Sequence, residues 1–151
     1  RRSRSMDRRS GAETRVKKRV LFDTNVLLDV LLAREPHLAD SARAVECVAT
    51  GDVQGFIAAH AITTLFYLLQ RQVGAAKARA QLGTVLERFI VAPVTDEMIR
   101  SALIAPFADF EDAVTVAAAL GIGAHVVVTR NLRDFEGSSV PAVHPGLLVS
   151  V

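Results

Sequence analysis

The sequence contains almost no cysteine, and this scarcity excludes two kinds of site. Cys47 is the only cysteine among the 151 residues. A disulfide within the chain is therefore impossible, and so is a metal cluster held by several cysteines. A protein without disulfides suits a reducing compartment, and we expect it to act in the cytoplasm.

Long apolar runs are also missing. The best candidate, residues 113–128, is broken by Gly121, Gly123 and His125, and it falls short of the roughly 20 apolar residues that cross a bilayer. No glycine-rich loop of the kind that cradles phosphates is present, and the four histidines show no metal-ligand spacing. Half of the residues are hydrophobic, so one domain can form a core without disulfides.

Acidic residues are scarce in the first 19 positions, and basic residues are outnumbered by acids in the rest of the chain. Positions 1–19 hold nine of the 18 lysines and arginines but only two acids, whereas positions 20–151 hold nine basic and 14 acidic residues, a net charge of −5. We divide the chain into a basic leader (1–19), of which residues 1–5 are taken as an expression remnant, and a folded domain (20–151). The leader is either a disordered solubilising segment or an arm that touches nucleic acid. The acidic body argues against a broad phosphate-binding surface.

Short apolar segments alternate with amphipathic ones along the domain. The pattern predicts strands at residues 19–22, 54–58, 89–92, 124–129 and 140–143. It predicts helices at residues 25–34, 37–50, 61–70, 74–88, 95–105 and 109–120. In the fifth helix Thr95 is the expected N-cap, and the expected buried face is Met98, Ile99, Ala102 and Leu103. Such alternation favours an α/β fold with a mainly parallel sheet covered on both sides by helices.

Polar residues follow the first and fourth predicted strands. Asp23 comes directly after the first, and Thr129, Arg130, Asn131 and Asp134 lie at or beyond the end of the fourth. Ligands of parallel α/β sheets bind beyond the carboxyl ends of the strands. We therefore expect these side chains to lie along one edge of the sheet.

Two acids occur close together in the stretch VLFDTNVLLDV at residues 20–30. On a helical wheel Asp29 lies opposite the leucines of the first helix, which predicts a solvated surface acid. Asp23 instead ends a buried strand, where an unpartnered charge is costly. Asn25 is either the cap of the first helix or a member of the same site as Asp23.

The last long helix is apolar from residue 113 to residue 120 except for Thr115, and this predicts burial on all sides. Its acids, Asp109, Glu111 and Asp112, crowd the N-terminus. One such acid is explained by capping and by the helix dipole. Several neighbouring carboxylates raise each other's pKa unless a cation intervenes, and Mg²⁺ or Mn²⁺ prefers oxygen ligands. We predict a metal site made by Asp23 and Asp112, with Asp109 and Asp134 nearby.

With these residues in view, the sequence resembles the PIN-domain ribonucleases, especially the VapC-type toxins of toxin–antitoxin pairs. The matching pieces are VLFDTNVLLDVLLAREP (20–36), ITTLFYLL (62–69), DFEDAV (109–114) and VVVTRNLRDF (126–135). The best match is to a subgroup with Asn in the TRN motif and Tyr in place of the second acid. The resemblance implies a three-layer α/β/α sandwich that binds Mg²⁺ or Mn²⁺ and hydrolyses RNA.

The resemblance also assigns roles to single residues. Asp23 and Asp112 match acids of the family's metal site. Asn131 stands where many members carry a further acid, and it offers a carbonyl oxygen without a charge. Tyr67 stands where many members carry a glutamate. Asp134, three residues after Asn131, can compensate for the missing charge.

These assignments lead to a hypothesis about function. A metal ion held by Asp23 and Asp112 activates water for attack on an RNA phosphodiester, and Asp109 or Asp134 orients that water or completes the coordination shell. Arg130 either contacts a backbone phosphate or forms a surface salt bridge. The resemblance implies a protein antitoxin and a homodimer. The alternative is a catalytically weakened PIN-like module that binds RNA or another protein.

Other enzyme classes that place an aspartate after the first strand fit poorly. A phosphatase of the haloacid-dehalogenase type needs a second aspartate two residues later, and Asn25 occupies that position. A receiver domain needs a downstream lysine, and Lys77 is the only lysine beyond residue 20.

Overall fold

The computed structural model describes residues 16–150, so most of the predicted basic leader lies outside the described residues. The strands are β1 (Lys18–Phe22), β2 (Val53–Ala58), β3 (Ile90–Ala92), β4 (Val126–Val128) and β5 (Ala142–Val143). The α-helices are α1 (Thr24–Leu31), α2 (Leu38–Ala49), α3 (Ala59–Val73), α4 (Ala75–Leu86), α5 (Asp96–Ile104) and α6 (Phe110–Gly121). Short 3-10 helices follow β4 (Leu132–Phe135) and β5 (Pro145–Ser150). No helix in this part of the chain has the length and apolar character needed to span a membrane.

The central sheet is parallel throughout and has the strand order β3-β2-β1-β4-β5. Val20 of β1 pairs with Gly55 on one side and with Val126 on the other. The chain first moves outward from β1 to β3 and then returns to the opposite side of β1 as β4. The strand order therefore reverses between β1 and β4, which is where open α/β sheets bind ligands. With helices flanking the sheet, the predicted α/β/α sandwich is confirmed.

The core is continuous across the sheet and explains why the short strands are so apolar. Val20 and Leu21 are 0% exposed and Phe22 is 1% exposed. The ring of Phe22 meets that of Phe89 edge to face, with centroids 5.0 Å apart. Burial of a side chain of this size contributes about 1.5–3 kcal/mol. The predicted burial of α6 also holds along most of its length, although Leu120 at its end is exposed.

Helix α5 confirms its predicted cap but not its predicted buried face. The side chain of Thr95 accepts a hydrogen bond from the backbone N–H of Met98 at 3.3 Å. Ala102 is buried, whereas Leu103 is 68% exposed, so the prediction for Leu103 is wrong. Because α5 packs on α6 through a small cluster that includes Ala102, its buried stripe is narrower than one that covers a sheet.

The prediction that Asp29 is a solvated surface acid is wrong. Asp29 is 0% exposed, and its carboxylate accepts hydrogen bonds from Arg34, Ser41 and Arg130. Helix α1 packs against both α2 and α3, so its polar side is enclosed as well. Ser41 and Arg130 come from other segments, and Arg34 lies beyond the observed end of α1, so a helical wheel does not show these contacts. A buried carboxylate is tolerable here because it is fully paired.

Candidate functional site

A cleft of about 240 Å³ opens at the carboxyl ends of β1 and β4. Its wall carries five carboxylates, together with two asparagines and two threonines. The residues that line it are Asp23, Thr24, Asn25, Thr64, Leu68, Asp109, Glu111, Asp112, Asn131 and Asp134. The structure thus brings together all four acids predicted as catalytic, and also Asn25 and Asn131.

A larger cavity of about 540 Å³ lies at the opposite end of the strands, where β1 and β2 begin. Its lining includes Lys17, Lys18 and Cys47, with Asp52 as its one acid. The smaller cleft is the better candidate because its ionisable groups converge.

Asp23 reaches the cleft from the end of β1. Its backbone N–H donates to the carbonyl oxygen of Val128 at 2.9 Å, and the hydroxyl of Thr129 donates to its Oδ2 at 2.9 Å. Asp23 occupies the N-cap position of α1, but its side chain makes no capping hydrogen bond. Burial raises the pKa of Asp23, and the hydrogen bond from Thr129 opposes this rise. The hydrogen bond from Thr129 therefore holds the carboxylate of Asp23 in place at the end of β1.

Asp109 and Asp112 have different surroundings at the start of α6: Asp109 caps the helix, and Asp112 faces the cleft. The Oδ1 atom of Asp109 accepts a hydrogen bond from the backbone N–H of Asp112 at 3.0 Å, so Asp109 is the N-cap. Asp112 lies one turn into the helix and faces the cleft. Burial, followed by the charges of Asp109 and Asp23, raises the pKa of Asp112 to about 7. Capping accounts for Asp109 but leaves Asp112 without a structural reason for its crowded position.

The loop after β4 forms the opposite wall. The hydroxyl of Thr129, besides donating to Asp23, accepts the backbone N–H of Asn131 at 3.1 Å. Asn131 occupies the N-cap position of the following 3-10 helix without a side-chain capping bond. Asp134 is exposed within that helix, and its charge contributes to the raised pKa values of both Asp23 and Asp112. Thr129 therefore fixes the loop and Asp23 together.

Two residues singled out from the sequence lie away from the cleft wall. The guanidinium of Arg130 points to Asp29, with Nε at 2.7 Å from Oδ2 and Nη2 at 3.2 Å from Oδ1. Of the two predicted alternatives, the ion pair is the one observed, but its partner is buried rather than on the surface. Tyr67 is 54% exposed, and the guanidinium carbon of Arg71 lies 5.7 Å from its ring centroid.

Helix α3 presents Thr64 and Leu68 to the cleft, and sequence reasoning missed both. They are four residues apart and so lie on one face of the helix. This spacing is visible in the sequence, but it does not show that this side of α3 meets the cleft. The wall formed by α3 therefore contributes a hydroxyl and an apolar side chain.

The donor set of the cleft fits Mg²⁺ or Mn²⁺ in kind. Carboxylate and amide oxygens suit these ions, and mutual repulsion of the acids is what a cation relieves. Within residues 16–150, no three carboxylate, histidine or cysteine side chains are arranged so that together they could hold a metal ion. Mg²⁺ commonly binds through only one or two protein carboxylates and keeps several waters.

Comparison with known proteins agrees with this geometry. The family model of the PIN domain matches residues 19–133, which is most of the chain. The chain belongs to the PIN domain family. A comparison with curated proteins gave no match.

Several solved structures share the PIN fold at low sequence identity. A toxin–antitoxin complex from Klebsiella pneumoniae has a TM-score of 0.64 and 22% identity, with 83% of this chain and 97% of that chain covered. VapBC2 from Rickettsia felis, bound to a promoter DNA fragment, has a TM-score of 0.63 and 13% identity, with coverage of 83% and 98%. VapC20 from Mycobacterium tuberculosis, described as a toxin that cleaves the sarcin–ricin loop, has a TM-score of 0.59 and 19% identity, with coverage of 72% and 86%.

Proposed function

We propose that this PIN domain protein is a metal-dependent endoribonuclease and the toxin of a toxin–antitoxin pair. The observation that carries the proposal is the convergence of Asp23 and Asp112 in the cleft between β1 and β4. Neither side chain makes a helix-capping hydrogen bond. Asp112, with a pKa of about 7, lies in a position that is electrostatically unfavourable without a cation, as is common at functional sites.

In this proposal Asp23 and Asp112 hold Mg²⁺ or Mn²⁺. A divalent ion bound there would supply Lewis acidity, which activates water and stabilises negative charge on a phosphate group. The other residues orient and assist. Thr129 holds Asp23 through its hydroxyl, and Asp109 fixes the backbone of Asp112.

The remaining acids of the cleft can act as a general base. Asp134 and Glu111 line the cleft and are exposed, so either can accept a proton from an attacking water. Asn25 and Asn131 present amide groups that can donate to phosphate or to base edges. These contacts would position RNA without adding positive charge to an acidic site.

The proposed partners follow from the structural neighbours. The Klebsiella and Rickettsia structures are complexes of a toxin with its antitoxin, and this supports a protein antitoxin for the present chain. A homodimer, a cytoplasmic location and membership of the subgroup with Asn in the TRN motif belong to the same proposal.

Cleavage of RNA by metal-free protein, with and without added Mn²⁺, tests the function. Asp23→Asn and Asp112→Asn should abolish Mn²⁺-dependent cleavage. Asp96→Asn is the matched control, because Asp96 lies in the first turn of α5, pairs with Arg100 and does not line the cleft. Cleavage that persists in both cleft variants would exclude the assignment.

A second candidate is a PIN-like module that binds RNA or protein with little turnover. It is favoured by the neutral residues at Thr64, Leu68 and Asn131 on the cleft wall. Binding of RNA by the parent protein without any Mn²⁺-dependent cleavage would select this candidate.

A further inference from the structure

The most buried charge in the described part of the molecule lies outside the cleft. Asp29 is 0% exposed. Its Oδ2 accepts from the Ser41 hydroxyl at 2.8 Å and from Arg130 Nε at 2.7 Å. Its Oδ1 accepts from Arg34 Nε at 3.1 Å and from Arg130 Nη2 at 3.2 Å. We refer to Asp29, Arg34, Ser41 and Arg130 as the Asp29 cluster.

One side of the cluster reaches the cleft through Asn25. The Nη2 atom of Arg34 donates to the backbone oxygen of Asn25 at 3.1 Å and to its side-chain Oδ1 at 3.3 Å. Asn25 lines the cleft, two residues after Asp23. Asp29 therefore orients Arg34, and Arg34 fixes both the backbone and the amide of Asn25.

The other side of the cluster reaches the cleft through the loop after β4. Arg130 stands between Thr129, whose hydroxyl binds Asp23, and Asn131, which lines the cleft. The guanidinium of Arg130 donates two hydrogen bonds to the carboxylate of Asp29. Such a bidentate pair fixes the orientation of the Arg130 side chain as well as its distance from Asp29. The two walls that flank Asp23 are thus tied to one carboxylate.

A purely stabilising role explains this arrangement poorly. Buried ion pairs are weak stabilisers, since apolar residues of similar volume often do as well or better. The cluster also holds two guanidinium groups against one carboxylate, which leaves one unit of positive charge next to a cleft rich in acids.

We propose that Asp29 is a positioning residue of the cleft, which sets the placement of Asn25 through Arg34 and that of Thr129 and Asn131 through Arg130. The proposal rests on the proposed function of the cleft as a metal site. Residues that orient metal ligands typically change metal affinity or activity 10–100-fold when they are replaced. Loss of Asp29 should have an effect of this kind although the side chain touches neither metal nor RNA.

Mn²⁺ affinity, measured by electron paramagnetic resonance on metal-free protein without RNA, tests the proposal. Asp29→Asn keeps the shape of the side chain but removes its charge. Because Asp29 acts one residue further out than a direct partner of a metal ligand, we expect Mn²⁺ binding to weaken severalfold, up to about tenfold. Asp96→Asn removes the carboxylate of an ion pair whose two side chains are 79% and 76% exposed, and it should bind Mn²⁺ as the parent does.

A second variant covers the case in which Asp29→Asn does not fold, as judged by circular dichroism. Arg34→Gln leaves the pair between Asp29 and Arg130 intact and releases Asn25. Because Asn25 follows the proposed ligand Asp23 by two residues, its release should also loosen Asp23. We expect Arg34→Gln to weaken Mn²⁺ binding severalfold, and Arg34→Lys should recover part of the loss.

The outcomes separate the two proposals. Folded Asp29→Asn or Arg34→Gln protein that binds Mn²⁺ as tightly as the parent, even with a lower melting temperature, would overturn the positioning role and leave the nuclease function standing. A parent that binds Mn²⁺ but never cleaves RNA would refute the nuclease function and leave the positioning role intact. A parent that binds no Mn²⁺ overturns both.

Discussion

Replacing Asp112 by asparagine should stabilise the metal-free protein at neutral and alkaline pH. The pKa of Asp112 rises from 3.8 to about 7 because the side chain is partly buried and lies near Asp109 and Asp23. At ~1.36 kcal/mol per pH unit, this difference corresponds to about 4 kcal/mol of destabilisation by the charged form. Because Asp112 is partly exposed, solvent screens the repulsion, and we expect about 1–2 kcal/mol.

The pH dependence has a definite sign. The folded-state pKa of Asp112 is higher than the unfolded value, so the folded protein binds the proton more tightly. The penalty is complete above about pH 7 and is relieved as the pH falls from there towards 3.8. The gain from Asp112→Asn should therefore be present at pH 8 and should fall to less than half of that value at pH 5.

Urea unfolding followed by circular dichroism in EDTA, at pH 8 and at pH 5, measures this gain. Asp96→Asn is the control: it also removes an acid from the first turn of a helix, but this acid is paired with Arg100 at 2.9 Å. Its loss should lower stability slightly at both pH values. An Asp112→Asn protein no more stable than the parent at pH 8 would refute the view that the carboxylates of the cleft repel each other.

Further predictions concern packing and the Asp29 cluster. Leu65→Ala, at a 0% exposed position, should cost about 2–5 kcal/mol in urea unfolding, whereas Leu103→Ala, at 68% exposure, should change stability by less than about 0.5 kcal/mol; equal losses would contradict the assigned burial. In Gly55→Ala the new Cβ would lie 2.7 Å from a valine methyl group, so thermal unfolding should show a loss of about 1–3 kcal/mol. Gly83→Ala meets nothing within 4 Å and should gain up to about 1 kcal/mol; a gain at both glycines would be inconsistent with close packing at Gly55. Asp29→Asn leaves two arginines without their shared carboxylate, and we expect a loss of about 3–5 kcal/mol in urea unfolding; a loss below about 1 kcal/mol would show that the cluster is solvated.

The fold was predictable because its signals are local. Each strand is a short apolar run and each helix has its own periodicity, and the predicted bounds differ from the observed ones by no more than three residues. The parallel sheet followed from the alternation alone. The predicted burial of Leu103 is wrong because a helical wheel shows which side of a helix is apolar, but not whether a neighbouring element covers that side.

The part of the candidate site that lies at the carboxyl ends of the strands could be predicted from the sequence. Asp23 and the loop after β4 follow strands that end at the same edge, so their convergence required no knowledge of packing. The role of Asp29 could not be foreseen, because its partners Arg34, Ser41 and Arg130 lie five, 12 and 101 residues away. The family resemblance aligns Tyr67 with a glutamate of other members. In the structure the orientation of α3 turns Thr64 and Leu68, and not Tyr67, towards the cleft.

A titration of metal-free protein with Mn²⁺, followed by single-turnover cleavage of a labelled RNA, tests most directly whether Asp23 and Asp112 form a metal-dependent nuclease site. For the parent we expect a cleavage rate near zero without metal that rises with Mn²⁺ and saturates. For folded Asp23→Asn protein we expect a rate more than about 100-fold lower at every Mn²⁺ concentration, beyond the loss usual for a residue that only supports a metal ligand. A parent rate that is independent of Mn²⁺, or an Asp23→Asn protein that cleaves as fast as the parent, would contradict the account.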